Sequence, residues 1–153
     1  MRTEERVVVT RAIEDLWAFF MDIQNLPKWD RGVARVQATS GDVGVGFTFD
    51  TFAAGDRGRM SYEVTRLCAP YEYEVVTRSS FFSLGRWQFT LEATGAGTAV
   101  SCIADFSVRT RYLWLAPVLA MLGPRAIRRD LGELKRVTEA VPDDAAGAAP
   151  AAG

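Results

Sequence analysis

The stretch VVVTRAIEDLWAFFMDIQNLPKW, residues 7–29, sets the architecture of this chain. Val7, Val8 and Val9 are β-branched and crowd a helical turn, so residues 5–10 are expected to form a first strand. The period then changes. Ile13, Leu16, Trp17 and Phe20 fall at i, i+3, i+4 and i+7, one face of a helix over 12–21. Glu14 and Asp15 lie in its first turn, where the helix dipole favours anions. Pro27 ends a second short helix or turn over 22–29, and Asp22 fits a cap at its start.

Downstream, the pattern becomes strands and turns. Residues 33–38, 45–52, 58–67, 71–78, 86–93 and 98–108 read as strands. The separators SGDVG, AAGDRG, CAP, SSFFSLG and TGAG are turn material. Connections this short predict an antiparallel meander. The chain then returns to a helical period. Ile127, Leu131, Leu134 and Val141 form one stripe, and Leu115, Val118, Leu119 and Leu122 form another upstream. Pro124 between them is expected to kink the helix or split it. The class is α+β: one curved antiparallel sheet of about seven strands wrapping a long C-terminal helix, with two short helices after the first strand. Residues 1–141 make one domain. Residues 142–153, PDDAAGAAPAAG, are low-complexity and expected to be disordered.

Composition narrows the chemistry. The 153 residues include 9 Phe, 4 Trp and 4 Tyr but no His. A Ser-His-Asp or Cys-His nucleophile system, a His zinc site and a His base are therefore excluded. Any proton transfer must use Asp, Glu, Tyr, Lys, a thiolate or water. Cys68 and Cys102 form no CxxC pair and are expected to be free thiols of a reducing cytoplasm. A net charge of −1 gives no general attraction to nucleic acid. The N-terminus lacks a signal-peptide core, and the apolar run from Tyr112 to Leu122 is too short to span a bilayer. The expectation is a cytoplasmic protein with no transmembrane segment, no metal and no cofactor.

Alternation within strands assigns faces. Trp87, Phe89 and Leu91 oppose Arg86, Gln88, Thr90 and Glu92. Met60, Tyr62 and Val64 oppose Arg59, Ser61, Glu63 and Thr65, and Arg66 falls at the end of that inward set. Tyr71, Tyr73, Val75 and Thr77 are expected inward, as are Val100, Cys102, Ala104 and Phe106. Phe47 and Phe49 are placed inward and Asp50 outward. Asp105 alternates outward. Asp30 follows Trp29 near the expected entrance.

Three motifs carry a family resemblance. The opening stretch places Trp17, Asp22, Pro27 and Trp29 in a strand–helix–turn pattern. GRWQFTLEATGAGTAVSCIADF, residues 85–106, resembles paired strands around a Gly-Gly-Thr-like turn. RRDLGELKRVTEA, residues 128–140, resembles the ending. Together they resemble the START-like superfamily, also called SRPBCC or Bet v 1-like, and within it the polyketide cyclase/dehydrase group. One departure is Arg11-Ala12, where the family often has Ala-Pro.

The resemblance implies a helix-grip fold with a cavity between sheet and C-terminal helix. It implies a ligand-binding set of Trp29, Phe47, Phe49, Met60, Trp87, Phe89 and Phe106 from the sheet side, with Leu115 and Leu119 from the helix. Cys102 would be an inert wall residue, and Thr77 would hold a water. Arg66 would reach the mouth near a family arginine that contacts substrate. Phe82, with Phe81 in the loop 79–85, would act as a lid or pack on the helix. Tyr62 and Tyr73 are the candidate catalytic hydrogen-bond donors to a ligand carbonyl. The implied activity is a cofactor-independent cyclase or dehydratase, lyase- or isomerase-type, of bacterial biosynthesis. Its substrate would be a hydrophobic, polycyclic small molecule, bound and positioned for reaction. The alternative is a non-catalytic carrier of a lipid or hydrophobic small molecule. Arg109, Arg111, Arg125, Arg128 and Arg129 are expected to form a solvated face; as a basic rim they could instead receive an acyl carrier protein or touch an anionic membrane surface. The resemblance covers a fold that hosts unrelated functions, and the chain is expected to be a monomer or homodimer.

Overall fold

The computed structural model describes residues 1–141; the expected disordered tail, 142–153, lies outside the described residues. The chain order is β1 (Arg2–Val9), α1 (Ile13–Met21), a 3-10 turn (Ile23–Asn25), α2 (Leu26–Trp29), β2 (Arg35–Ala38) and β3 (Thr48–Phe52). It continues with β4 (Arg59–Cys68), β5 (Glu72–Arg78), β6 (Phe82–Thr94), β7 (Gly97–Val108), a 3-10 turn (Thr110–Leu115) and α3 (Ala116–Glu139). The seven strands form one antiparallel sheet in the order β1-β7-β6-β5-β4-β3-β2. This is the helix-grip arrangement of a curved sheet and a long C-terminal helix.

The topology explains where the short helices lie. β1 and β2 are consecutive strands at opposite edges of the sheet. The segment joining them must therefore cross the sheet; α1 passes over β6 and β7, and α2 lies against α3 and β2. Their apolar sides close on the sheet, burying Ile13, Leu16, Phe20 and Trp29 with Leu91, Val100 and Leu134. Each such side chain contributes roughly 1.5–3 kcal/mol by leaving water. Asp22 caps the crossing's 3-10 turn, its Oδ1 accepting the Gln24 N–H at 3.0 Å.

α3 is held by its C-terminal half. Leu131, Leu134 and Thr138 are buried there. The Lys135 ammonium donates to the Val8 carbonyl at 2.7 Å, and Glu139 accepts from the Thr10 N–H at 2.8 Å. Those bonds tie the helix to β1. Gly97 keeps the β6–β7 hairpin against the same edge. Its φ is 130°, and a Cβ there would lie 2.2 Å from the Val9 carbonyl oxygen, so only glycine fits.

Several boundaries differ from the sequence reading. β1 begins at Arg2, and β3 covers only Thr48–Phe52, the preceding residues forming a turn through Gly46 at φ 89°. Tyr71 is exposed because it precedes β5, so strand alternation does not apply to it. Asp50 does face away from Phe49, but it is buried: the Ser61 hydroxyl donates to it at 2.6 Å and the Arg59 guanidinium lies 2.8 Å away. Pro124 does not split α3. The Ala120 carbonyl, which loses its partner to the proline, belongs to an exposed residue and is open to water. The Arg125 guanidinium donates to the next carbonyl, Met121, at 2.6 Å.

Candidate functional site

The concave face of the sheet is set by cross-strand register. Opposite residues in an antiparallel ladder point to the same side. Phe49 pairs with Tyr62, Tyr62 with Thr77, Val75 with Trp87, Tyr73 with Phe89 and Phe89 with Cys102. All therefore face one way. Gly85 pairs with Thr77 and with Phe106, leaving a gap in this face. The Trp87 indole fills it, since a Cβ on Gly85 would sit 3.0 Å from that ring.

A pocket opens between this face and the crossing helices. Phe20, Ile23, Leu26, Trp29 and Asp30 line it from above; Phe49, Tyr62, Tyr73, Val75, Trp87 and Phe89 line it from the sheet. Its volume is about 90 Å³. One end is walled by Phe20, Trp29 and Phe89, with ring centroids 5.1–6.1 Å apart. The other holds Tyr62, stacked on Phe49 at 5.2 Å and tilted against Trp87 at 5.5 Å. Drug-sized ligand pockets begin at ~300 Å³, so a polycyclic ligand fits only if side chains at the crossing move.

Asp30 is the carboxylate in that lining. It caps the end of α2, its N–H bonded to the Leu26 carbonyl at 2.9 Å. Its Oδ1 accepts the Gly32 N–H at 2.8 Å. Burial raises its pKa to about 6, and the neighbouring Asp130 carboxylate on α3 adds to the rise. The Gly32 hydrogen bond and the Arg129 charge oppose it. Burial also pushes both pocket phenols well above their ordinary range, and the Asp30 charge pushes Tyr62 further. At neutral pH the two tyrosines are thus fixed as O–H groups. The Tyr62 hydroxyl has the Met60 sulfur 3.8 Å away.

Of the residues singled out in the sequence, Trp29, Phe49, Tyr62, Tyr73, Trp87 and Phe89 come together in the pocket. Phe47 stacks behind Phe49 at 6.0 Å, and Met60 supports Tyr62. Cys102 is buried behind Phe89, and burial raises its thiol to about 12. Thr77 is buried and spends its hydroxyl on the Ser61 carbonyl at 2.6 Å. Phe106 meets Trp87 edge-on at 4.9 Å.

Arg66 is a correction. A β-bulge after Val64 inserts one residue, so Arg66 pairs with Glu74 and Leu67 takes the inward place opposite Tyr73. The Arg66 guanidinium lies on the outer face, 3.0 Å from Glu72. Phe82 begins β6 rather than capping a loop, and its ring packs on Phe106 at 5.3 Å. Leu115 and Leu119 are half-buried and lie outside the pocket lining, because α3 grips with its other half. The sequence singles out no site role for Phe20, Ile23 or Leu26, and places Val75 on the inward face and Asp30 only near the entrance. A carboxylate directly after an inward Trp at a helix end was the available signal for Asp30.

Among the described residues no cluster of His, Cys, Asp or Glu could hold a metal ion, and no helix is long and apolar enough to cross a membrane.

Solved structures share the fold at low identity. The di-domain ARO/CYC StfQ from the steffimycin biosynthetic pathway superposes with a TM-score of 0.73 at 14% identity. The match covers 96% of this chain and 52% of StfQ. The protein TTHA0849 from Thermus thermophilus gives 0.74 at 12% identity, covering 97% of this chain and all of that one. Ara h 8.0201 gives 0.64 at 14%, covering 88% and 97%. No curated protein matches the chain in sequence. The sequence match to the family "Polyketide cyclase / dehydrase and lipid transport" runs over residues 1–139. With the helix-grip sheet and its aromatic pocket, that match places the chain in this family, within the SRPBCC superfamily.

Proposed function

We propose that the chain binds a small apolar carbonyl compound in the pocket beneath α1 and α2 and promotes its dehydration or ring closure. Asp30 moves the proton; Tyr62 and Tyr73 donate hydrogen bonds. The observation that carries this reading is one carboxylate with a pKa near 6 sharing an aromatic pocket with two neutral phenols. A group titrating near the working pH serves equally as base and as acid.

In its ionised form Asp30 takes a proton from the carbon beside a substrate carbonyl. A tyrosine O–H stabilises the charge that collects on the carbonyl oxygen. In dehydration, the bond from the β-carbon to its hydroxyl then breaks. Protonated Asp30 returns its proton to the departing oxygen, releasing water and the unsaturated carbonyl compound. In ring closure, the same enolate attacks a second carbonyl carbon of the chain, and the proton goes to the new alkoxide. The aromatic walls hold the reacting carbons together, the contribution of orientation. The family's cyclase and dehydrase members and the StfQ likeness in fold support this reading.

The test is turnover of a β-hydroxy ketone and of a linear poly-β-ketone thioester, with product analysis. The expected result is faster or differently directed product formation than in buffer. Asp30→Asn is expected to lose most of it, and Tyr62→Phe part of it. Product formation identical to buffer overturns catalysis. Retained ligand binding in that case leaves the carrier reading, which the family's lipid-transport members support.

A further inference from the structure

Opposite properties meet at the start of α3. Trp114 is 72% exposed, Leu113 54% and Met121 55%, and Val118 and Leu122 are exposed beside them. Met1 adds its methyl group alongside Gly123. Val118, Met121 and Leu122 fall at i, i+3 and i+4 on one face of α3, with Leu113 and Trp114 just before its start, so they form an apolar ridge, not scattered surface hydrophobics. The charge along this run of chain is of one sign, and the nearby Asp105 is paired with the Met1 amino group. Residues 106–129 contain five arginines and no Asp or Glu.

Two of those arginines are neutralised locally. Arg128 lies 2.9 Å from Glu5, and Arg129 3.0 Å from Asp130. The other three are not. Arg109 donates to the Ser79 carbonyl at 2.9 Å, Arg111 to the Ser80 carbonyl at 2.7 Å, and Arg125 to the Met121 carbonyl. A backbone carbonyl orients a guanidinium without cancelling its charge. The ridge is thus flanked by three oriented positive groups.

We infer that this ridge docks the protein on the surface of an anionic phospholipid bilayer, Leu113, Trp114, Val118, Met121 and Leu122 entering the interface and Arg109, Arg111 and Arg125 meeting the headgroup phosphates. The chemistry fits each part. Tryptophan and long aliphatic chains favour the headgroup–acyl boundary, and arginine pairs with phosphate. A second copy fits poorly, because a two-fold contact would set the uncompensated arginines of both copies around one apolar patch.

The ridge is also joined to the pocket. Ring contacts run from Tyr112 to Phe81 at 5.0 Å, Phe81 to Phe82 at 4.8 Å, Phe82 to Phe106 at 5.3 Å and Phe106 to Trp87 at 4.9 Å. Trp87 lines the pocket. A chain of ring contacts therefore connects Tyr112, next to Leu113 of the ridge, with the pocket wall. Docking itself does not rest on the proposed chemistry of that pocket.

The test is cosedimentation of the full chain with vesicles of phosphatidylcholine containing phosphatidylglycerol, and with phosphatidylcholine alone. The expected result is partition onto the anionic vesicles only, weakened by salt. Arg111→Gln and Arg125→Gln should each weaken it about fivefold, from the contribution of one arginine at a charged surface. Trp114→Glu should weaken it roughly tenfold or more, since it swaps the largest anchor for a repelled charge. These residues are exposed, and an unchanged circular dichroism melt checks that the variants fold. No partition onto anionic vesicles overturns the inference. So does a soluble dimer, or a complex with an acidic carrier protein, that Trp114→Glu dissolves while vesicle binding is absent. Uptake of an apolar fluorophore is measured in parallel without vesicles. Vesicle binding with no uptake supports docking and breaks the pocket reading, so the two failures are distinct.

Discussion

The two halves of α3 carry similar apolar stripes and meet opposite fates. In the C-terminal half, Leu131 and Leu134 are buried in the core where α3 packs on β1 and α2, and Lys135 and Glu139 tie the helix to the β1 edge. In the N-terminal half, Val118, Met121 and Leu122 stand in solvent. Helical periodicity is the same on both sides of Pro124; only the C-terminal side is fully covered, and Leu115 and Leu119 on the other are half-buried. An amphipathic stripe thus reports that a surface is to be covered, not what covers it.

The largest test of this contrast is a pair of truncations. Leu134→Ala should cost about 2–5 kcal/mol in denaturant unfolding, because it leaves a cavity in a packed region. Leu122→Ala should stay within about 0.5 kcal/mol. Equal costs would mean that the N-terminal half is packed after all.

The buried half also reaches the pocket, since Asp130 adds to the raised pKa of Asp30. A carboxylate titrating near 6 when folded, against 3.8 as its ordinary value, binds more protons in the folded state. Stability therefore falls as pH rises from about 4 to about 6, and the penalty stays in full above that. Asp30→Asn should remove it, raising stability by about 1–3 kcal/mol at neutral pH. Below pH ~4 wild type and variant should converge. Denaturant titrations at the two pH values check this. A neutral-pH loss in Asp30→Asn would mean that the carboxylate is there for structure. Stability gained together with turnover lost is the pattern of a group kept for function.

Asp130→Asn sharpens where the buried half begins. Removing that charge should lower the Asp30 pKa by a fraction of a unit, read by carboxyl NMR titration. An unchanged value would place Asp130 outside the pocket's electrostatic reach.

The smallest effect belongs to the tie at the far end. Hydrogen bonds from Lys135 and Thr10 hold Glu139 down to about 2. Its contribution is present above the ordinary carboxylate value and lost as pH falls from about 4.5 toward 2. Glu139→Gln should melt slightly lower at neutral pH and show less acid sensitivity in that window.

Much of the fold was legible because it is written in local periods. The strand before Ile13, the two short helices and the meander all follow from spacing and turn residues. The pocket was half legible. Phe49, Tyr62, Trp87 and Phe89 follow from alternation, which holds while a strand is regular, and Trp29 from the opening strand–helix–turn motif. Arg66 was misplaced because a bulge at Thr65 reverses alternation, and bulges have no period. Leu115 and Leu119 were assigned to a cavity that α3 does not reach at that point. Asp30 is placed near the entrance by its position after Trp29, but its raised pKa is not legible, because burial and the distant Asp130 cause it.

The sequence by itself determined the element types, the antiparallel order and the lack of any histidine chemistry, since these depend on neighbours along the chain and on composition. Tertiary structure alone decided which helical stripe is covered, which carboxylate is desolvated and which ring seals the gap at Gly85. Those outcomes depend on which distant groups displace water, and no local pattern encodes that.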